Sequence, residues 1–323
     1  MSVKGEIKSR VIEVNDLVKR YRKSTVNAVD GVNFYVEEGA FFALLGPNGA
    51  GKTTIVSILT TVLSQTSGSV SVAGYDLETK ASKVREKIGV IFQNPSLDAN
   101  LTAEENVRFH ANLYGLFPFR PSFSLMSESY KRRVKGLASV LGIEKALHKP
   151  VKTLSGGMKR KLEIVRSLMH NPKILFLDEP TTGLDPVSRM NLWNYLQEIR
   201  ESEKMTIFLT THYLEEAEGA DYLVVINNGK LVARGTPNEI KDVLVEKYLM
   251  VDAENREKLL LELTKKKIRF SVNKHIRIKL SKQSPQEVIN QIKTKLSLLQ
   301  IYNPSLEEAY IRIIEGGGKN ARN

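Results

Sequence analysis

The stretch FFALLGPNGAGKTTIVSILTTVL, residues 41–63, decides the fold. Its first five residues are an apolar run of strand length and its last eleven read as a helix. Between them GPNGAGKT, residues 46–53, fits G-x-x-x-x-G-K-[ST]. Gly46, Gly49 and Gly51 let consecutive backbone N–H groups turn inward around an anion, where a side chain would block approach. Pro47, Asn48 and Ala50 fill the rest of the loop, and Thr54 follows it. Lys52 is expected to reach the β- and γ-phosphates of ATP, and the Thr53 hydroxyl to bind Mg²⁺. The helix that follows aims its positive dipole end at the anion. From average residue usage a chance match in a chain this long is about one in a hundred, before the flanking strand and helix are required.

Outward from this loop, short apolar runs at 89–92, 174–177 and 206–210 read as buried strands, with helices such as 186–202 between them. That alternation implies an α/β domain over residues 1–240 with a largely parallel sheet. Residues 100–152 break the pattern with helices at 103–114 and 130–141 and a Pro/Phe/Ser-rich link, FPFRPSFSLMSES, which marks an inserted helical subdomain. After Thr236-Pro237 the character changes again. A strand at 247–251, a helix at 254–267, a hairpin at 268–272 and 275–280, a helix at 286–295 and a strand at 298–302 follow the ferredoxin-like order β-α-β-β-α-β. A last helix at 305–314 completes a small α+β accessory domain, 241–315, and residues 316–323 form a Gly-rich, disordered tail.

ILFLDEP carries two carboxylates at the carboxyl end of a strand, the ligand-binding edge of a parallel sheet. Asp178 is placed to hold Mg²⁺ and Glu179 to polarise an attacking water as general base. Gln93 follows the strand GVIF and is placed to contact Mg²⁺ and water. His212 follows IFLTT and is placed to bond the γ-phosphate. In LSGGM, residues 154–158, Ser155 is a good N-cap, and Met158, Leu162, Val165 and Met169 line one face of a helix. Gly156 and Gly157 are costly in a first turn, and Lys159, Arg160 and Lys161 oppose the helix dipole. Exposed amides beside cations suit the phosphate of a second nucleotide.

GPNGAGKTT, Gln93, LSGGM, ILFLDEP, GLDP (183–186) and His212, in this order and spacing, resemble the nucleotide-binding subunit of an ABC (ATP-binding cassette) protein over residues 10–240. The resemblance implies a P-loop NTPase fold and head-to-tail pairing of two cassettes. Ser155, Gly156 and Gly157 of one would then complete the ATP site of the other, with Asp185 linking the two sites. It also implies that Tyr21 stacks on adenine. Met158 stands where many cassettes have Gln, and it is familiar in exporter-type members. LTAEENVRFHANLYGL, LVARGTPNEI and NPSLEEAYIRII resemble the ATPase subunits of multidrug, antibiotic and polysaccharide exporters. In that reading ATP closes a homodimer and drives a separate integral membrane permease, which docks a short helix beside Gln93.

The composition limits the alternatives. The absence of Cys excludes disulfides and Cys-ligated metals, and the five His have no zinc spacing. No apolar stretch approaches the roughly 20 residues of a bilayer span, and MSVKGEIKSR lacks a signal peptide's apolar core. A cytoplasmic protein, held at the inner face of the membrane through its permease, is expected. The net charge of +12 admits a rival, a soluble ABC ATPase acting on nucleic acid or ribosomes, but no arginine-rich or aromatic-interleaved stripe supports direct nucleic-acid binding. That rival also usually carries two cassettes or a long coiled-coil insertion. A regulatory module signalling through its ATP-bound dimer is a third possibility.

Overall fold

A computed structural model describes residues 9–93, 96–182, 184–244, 248–280, 284–302 and 305–315, with the backbone alone for 242–244. Gly183, Lys247 at the start of an expected strand, Asn303-Pro304 and the expected tail 316–323 lie outside the described residues. The chain divides into two compact units, Met1–Arg234 and Gly235–Asn323.

In chain order the first unit opens with β1 (Arg10–Lys19), β2 (Val29–Glu37), β3 (Phe41–Leu45), α1 (Lys52–Leu59), β4 (Ser67–Val72), β5 (Tyr75–Asp76), α2 (Ala81–Arg85) and β6 (Ile88–Ile91). Helices α3 (Ala103–Leu113), α4 (Glu128–Val140) and α5 (Gly156–Leu168) follow. The unit closes with β7 (Ile174–Asp178), α6 (Pro186–Glu203), β8 (Thr206–Thr211), α7 (Leu214–Glu218), β9 (Tyr222–Asn227) and β10 (Lys230–Gly235).

These strands form two sheets. One has the order β10-β9-β3-β8-β7-β6, and its pairs β9–β3, β3–β8, β8–β7 and β7–β6 are parallel. Every residue of β3, β7 and β8 is buried, as continuous apolar runs covered on both faces require. The other sheet, β2-β1-β4-β5, is antiparallel, and β2 alternates inward Val29, Val32, Phe34 and Val36 with outward neighbours. This second sheet is not visible in the α/β alternation read from sequence, because β1 pairs with β4 across the intervening β2, β3 and α1. The two sheets share a core through stacked rings: Phe34–Phe42 at 5.4 Å, Phe42–Phe208 at 5.0 Å and Phe208–Phe176 at 5.2 Å between centroids. Helix α1 ends at Leu59, short of the expected residue 63: Thr60 back-bonds to the Val56 carbonyl and Thr61 turns to φ 63°.

In the helical part, Thr102 and Glu105 form a capping box at the start of α3, and Ser127 caps α4. Fully buried Tyr130 donates to Glu104 at 2.9 Å, and the Arg108 guanidinium bonds the same carboxylate at 3.1 Å. Arg108 also reaches the Arg120 carbonyl at 2.6 Å, which ties the Pro/Phe-rich link to α3.

The second unit runs α8 (Pro237–Leu244), β11 (Tyr248–Ala253), α9 (Arg256–Lys265), β12 (Phe270–Val272), β13 (Ile276–Lys279), α10 (Pro285–Gln291), β14 (Leu296–Tyr302) and α11 (Leu306–Glu315). Its sheet has the order β12-β13-β11-β14, antiparallel throughout, which is the ferredoxin-like arrangement. Leu249, Val251, Ile276 and Ile278 pack one sheet face against Leu259, Leu263 and Val288 of α9 and α10.

Phe208 packs against three rings in the shared core, so Phe208→Ala is expected to cost the first unit about 3–5 kcal/mol. Chemical denaturation of the full chain measures it, and an unchanged midpoint would remove that ring cluster from the core account.

Candidate active site

The parallel register brings the functional loops to one edge. Leu45 of β3 pairs with Thr211 of β8, Asp178 of β7 with Thr210, and Ile91 of β6 with Leu177. The phosphate loop, Gln93, Asp178-Glu179 and His212 therefore all leave the sheet at its carboxyl edge, where parallel sheets bind ligands.

The phosphate loop is held from behind. The Gly229 N–H donates to the Ala50 carbonyl at 3.0 Å from the β9–β10 turn, where Asn228 and Gly229 both have positive φ. A Cβ on Gly46 would stand 2.3 Å from the Ile226 carbonyl oxygen, and one on Gly51, at φ 108°, 2.6 Å from that of Ala28. Gly49, at φ 79°, faces open space. Behind this tight backing a cavity of about 320 Å³ opens, lined by Asn48, Gly49, Gly51, Lys52, Thr53, Thr54, Gln93 and Glu179.

Lys52 is buried, and its ammonium donates to the Gly46 and Pro47 carbonyls at 2.8 and 3.2 Å. It also stands 3.4 Å from Oε1 of Glu179, itself only 8% exposed. Gln93 Nε2 donates to Oε2 of Glu179 at 3.2 Å. His212 Nδ1 lies 3.3 Å from Oε1 without hydrogen-bond alignment. Three side chains from separate strand ends thus converge on one carboxylate. Glu179 sits at φ 47°, a strained conformation for a non-glycine residue, anchored by its N–H to the Thr210 carbonyl at 3.0 Å. Asp178 accepts from the Thr210 and Thr53 hydroxyls. Burial pushes its carboxyl above the usual aspartate range, against the pull of those two bonds.

Tyr21 is half exposed, and its hydroxyl lies 3.2 Å from that of Thr54. Ser155 caps α5 by accepting from the Met158 N–H at 3.2 Å, and Ser155, Gly156 and Gly157 do not line the Lys52 cavity. Asp185 caps α6 through the Ser188 N–H at 3.0 Å.

Arg160 corrects the sequence reading of a cationic helix start. It is buried, and its guanidinium bonds the Pro180 carbonyl at 2.8 Å, the Phe92 carbonyl at 2.6 Å and Glu163 at 3.0 Å. Glu163 accepts from the Ser96 N–H at 2.9 Å, and Arg166 donates to the Ser96 carbonyl at 2.7 Å. Helix α5 is thereby tied to both the segment after β6 and the end of β7. The recurrence of charge at 160, 163 and 166 is the signal that could have shown it, since those positions share a helix face.

Next to this network a second cavity, about 270 Å³, is lined by Arg85, Val90, Phe92, Ser96, Tyr114 and Arg166 among others. Around it, buried His110 Nε2, His170 Nδ1 and Arg166 Nε have no hydrogen-bond partner among the described residues. Burial, with Arg166 and His170 nearby, holds His110 down at about 3, so its ring is neutral.

The loop's glycines and the oxygen donors Thr53, Gln93 and Asp178 fit a magnesium nucleotide. Such a metal arrives with phosphate oxygens and needs few protein ligands. Among the described residues no three His, Asp or Glu cluster to hold a metal without them.

Residues 29–182 match the family model described as ABC transporter. The chain is 40% identical over 231 residues to Nod factor export ATP-binding protein I of Ralstonia nicotianae, covering 71% of this chain and 68% of the relative. The chain belongs to the ABC transporter ATP-binding family. Its likeness to the protein of the same name in Burkholderia thailandensis is 34% over 309 residues, covering 94% of this chain and 96% of that one. Daunorubicin/doxorubicin resistance ATP-binding protein DrrA of Streptomyces peucetius is 38% identical, with 77% and 73% covered. The dimeric post-hydrolysis structure of the ATP-binding cassette MJ0796 bound to ADP and Pi superposes with a TM-score of 0.62 at 25% identity, covering 70% of this chain and 98% of that one. As an ABC ATPase of the exporter-type subclass, the chain binds ATP with Mg²⁺ and hydrolyses it. Subunits of this family act with a second cassette and a membrane permease. Among the described residues no helix is long and apolar enough to cross a membrane.

A carboxyl whose pKa is raised in the fold makes the fold lose stability as pH climbs above the unfolded aspartate value. Asp178→Asn is therefore expected to raise the melting temperature without nucleotide, more at pH 8 than at pH 5. Thermal melts at the two pH values test this, and a lower melting temperature at pH 8 would contradict the burial account.

Proposed function

We propose that this chain is the motor subunit of an exporter, in which two copies close head to tail on ATP and their closure drives a separate permease. The convergence of Lys52, Gln93 and His212 on the Glu179 carboxylate carries this reading. Lys52 binds the β- and γ-phosphates, within a loop completed by Gly46, Pro47, Asn48, Gly49, Ala50, Gly51, Thr53 and Thr54. Thr53, Asp178 and Gln93 hold Mg²⁺, which supplies charge neutralisation to the phosphates when bound. Glu179 takes a proton from the attacking water, and His212 hydrogen-bonds the γ-phosphate and orients that water. Tyr21 stacks on adenine, a role supported by its half-exposed ring beside Thr54.

The exposed Ser155-Gly156 start of α5 suits closure over the phosphates of the other copy, with Gly157 behind it and Asp185 linking the two sites. A partner element of the permease docks in the 270 Å³ cavity. The unpartnered polar atoms there support this, since each buried polar group left unpaired costs about 1–3 kcal/mol. Network residues Arg160, Glu163 and Arg166 then link the docked element to the end of β7. Export is supported by the relatives' names, and the chain works at the cytoplasmic face of the membrane. Residues 1–240 supply the motor and residues 241–315 an accessory role.

Glu179→Gln is expected to keep ATP affinity, lower turnover by about 10²–10⁴-fold and accumulate an ATP-bound dimer on size exclusion. Wild-type turnover would falsify the assignment of Glu179 as base. Mixing Ser155→Arg chains with Lys52→Ala chains, each inactive alone, is expected to restore activity through the one site that regains both halves. Failure to recover any turnover, with mixed dimers present, counts against completion of the site in trans.

A further inference from the structure

A cavity of about 410 Å³ lies in the second unit and shares no lining residue with the Lys52 cavity. One face of the β12-β13-β11-β14 sheet is covered by α9 and α10. The alternation of β11 and β13 sends Tyr248, Arg277 and Lys279 to the other face, where Tyr248 pairs in register with both Lys279 and Tyr302. Helix α11 adjoins this face, since the Tyr302 hydroxyl donates to Glu308, and Arg312 lies one turn further along. The resulting pocket gathers Arg269, Arg277, Lys279 and Arg312, from three segments of chain.

The lining carries Arg269 and Arg277 side by side with two tyrosines. The single acid in the lining, Glu308, is engaged by Tyr302. Among the described residues no carboxylate pairs with Arg269 or Arg277. Arg277 instead lies over the Tyr248 ring, 5.0 Å from its centroid, and that ring stacks on Tyr302 at 4.4 Å and 13°. Among the described residues the Arg277 guanidinium makes no hydrogen bond. Guanidinium forks suit the paired oxygens of phosphate, and the volume lies within the range of small-ligand sites.

We propose that this pocket binds a ligand carrying at least two phosphate oxyanion groups, gripped by Arg269 and Arg277. The accessory unit is thereby a second anion-binding module of the chain, using side chains where the phosphate loop uses backbone amides. A soluble organophosphate and a phosphate-bearing lipid surface share this chemistry and are separated by experiment.

The test uses the full chain carrying Lys52→Ala, so that the phosphate loop contributes little. Inorganic pyrophosphate is titrated by calorimetry, and in a second arm the chain is sedimented with vesicles of phosphatidylcholine alone or with phosphatidic acid added. Saturable binding of pyrophosphate near one per chain identifies a soluble ligand, and sedimentation only with phosphatidic acid identifies a lipid surface. Whichever applies, binding should weaken at least tenfold in Arg277→Glu, less in Arg277→Gln, and fall at higher salt. Both variants should melt with the parent chain, so a loss of binding is read apart from a loss of fold. Binding of neither probe, or binding indifferent to both substitutions in chains that melt normally, overturns the proposal. ATP turnover enters neither arm, so the outcome stands apart from the reading of the active site.

Discussion

The buried pair between Lys52 and Glu179, 3.4 Å apart, is the interaction on which the active edge of the sheet depends. Neither charge is tolerable alone at that depth, because removing one partner of a buried pair typically costs about 3–5 kcal/mol. Each comes from a different motif, one from the loop after β3 and one from the end of β7, and β8 lies between those strands. The pair therefore holds only while the parallel register is intact. It also places competing demands on the lysine, whose ammonium is shared among two carbonyls and one carboxylate. Phosphate oxygens at the loop would compete with those partners for the ammonium, so the pair and an anion draw on the same three N–H bonds.

Much of this site was legible because its residues sit at strand ends within recognisable local patterns. GPNGAGKT and ILFLDEP carry their own flanking strands, and Gln93 and His212 each follow one directly. The pair itself was not legible, since it depends on which strands are neighbours, and local sequence does not state that. The antiparallel sheet β2-β1-β4-β5 was hidden for the same reason. Arg160 was read among the cations beside a phosphate-binding helix start; its hydrogen bonds to Phe92 and Pro180 turn it inward, and local sequence does not show them. In the second unit the order of elements could be read, but strand and helix limits moved by a few residues. Caps such as Ser284 with Glu287, rather than the apolar pattern, set those limits.

Arg160, Glu163 and Arg166 tie helix α5 to the strand end that carries Glu179. The three side chains occupy one face of α5 and contact backbone groups on both sides of it, Phe92 and Ser96 on one and Pro180 on the other. Contacts to backbone transmit a shift of the helix directly, whereas contacts between flexible side chains would absorb it. Through these contacts α5 is joined to the segment carrying Gln93 and to the turn carrying Glu179.

The backing of the phosphate loop has a thermodynamic consequence. With Ala50 tied to Gly229, and Gly46 and Gly51 pressed against the Ile226 and Ala28 carbonyls, the loop is confined before any anion arrives. Ordering a free backbone consumes about 1–2 kcal/mol of entropy per residue, and here folding has already met that cost. Nucleotide binding is then closer to filling a rigid mould than to shaping one. A loop of the same sequence without the β9–β10 turn behind it would bind the same phosphates more weakly, through lost entropy and with no contact changed.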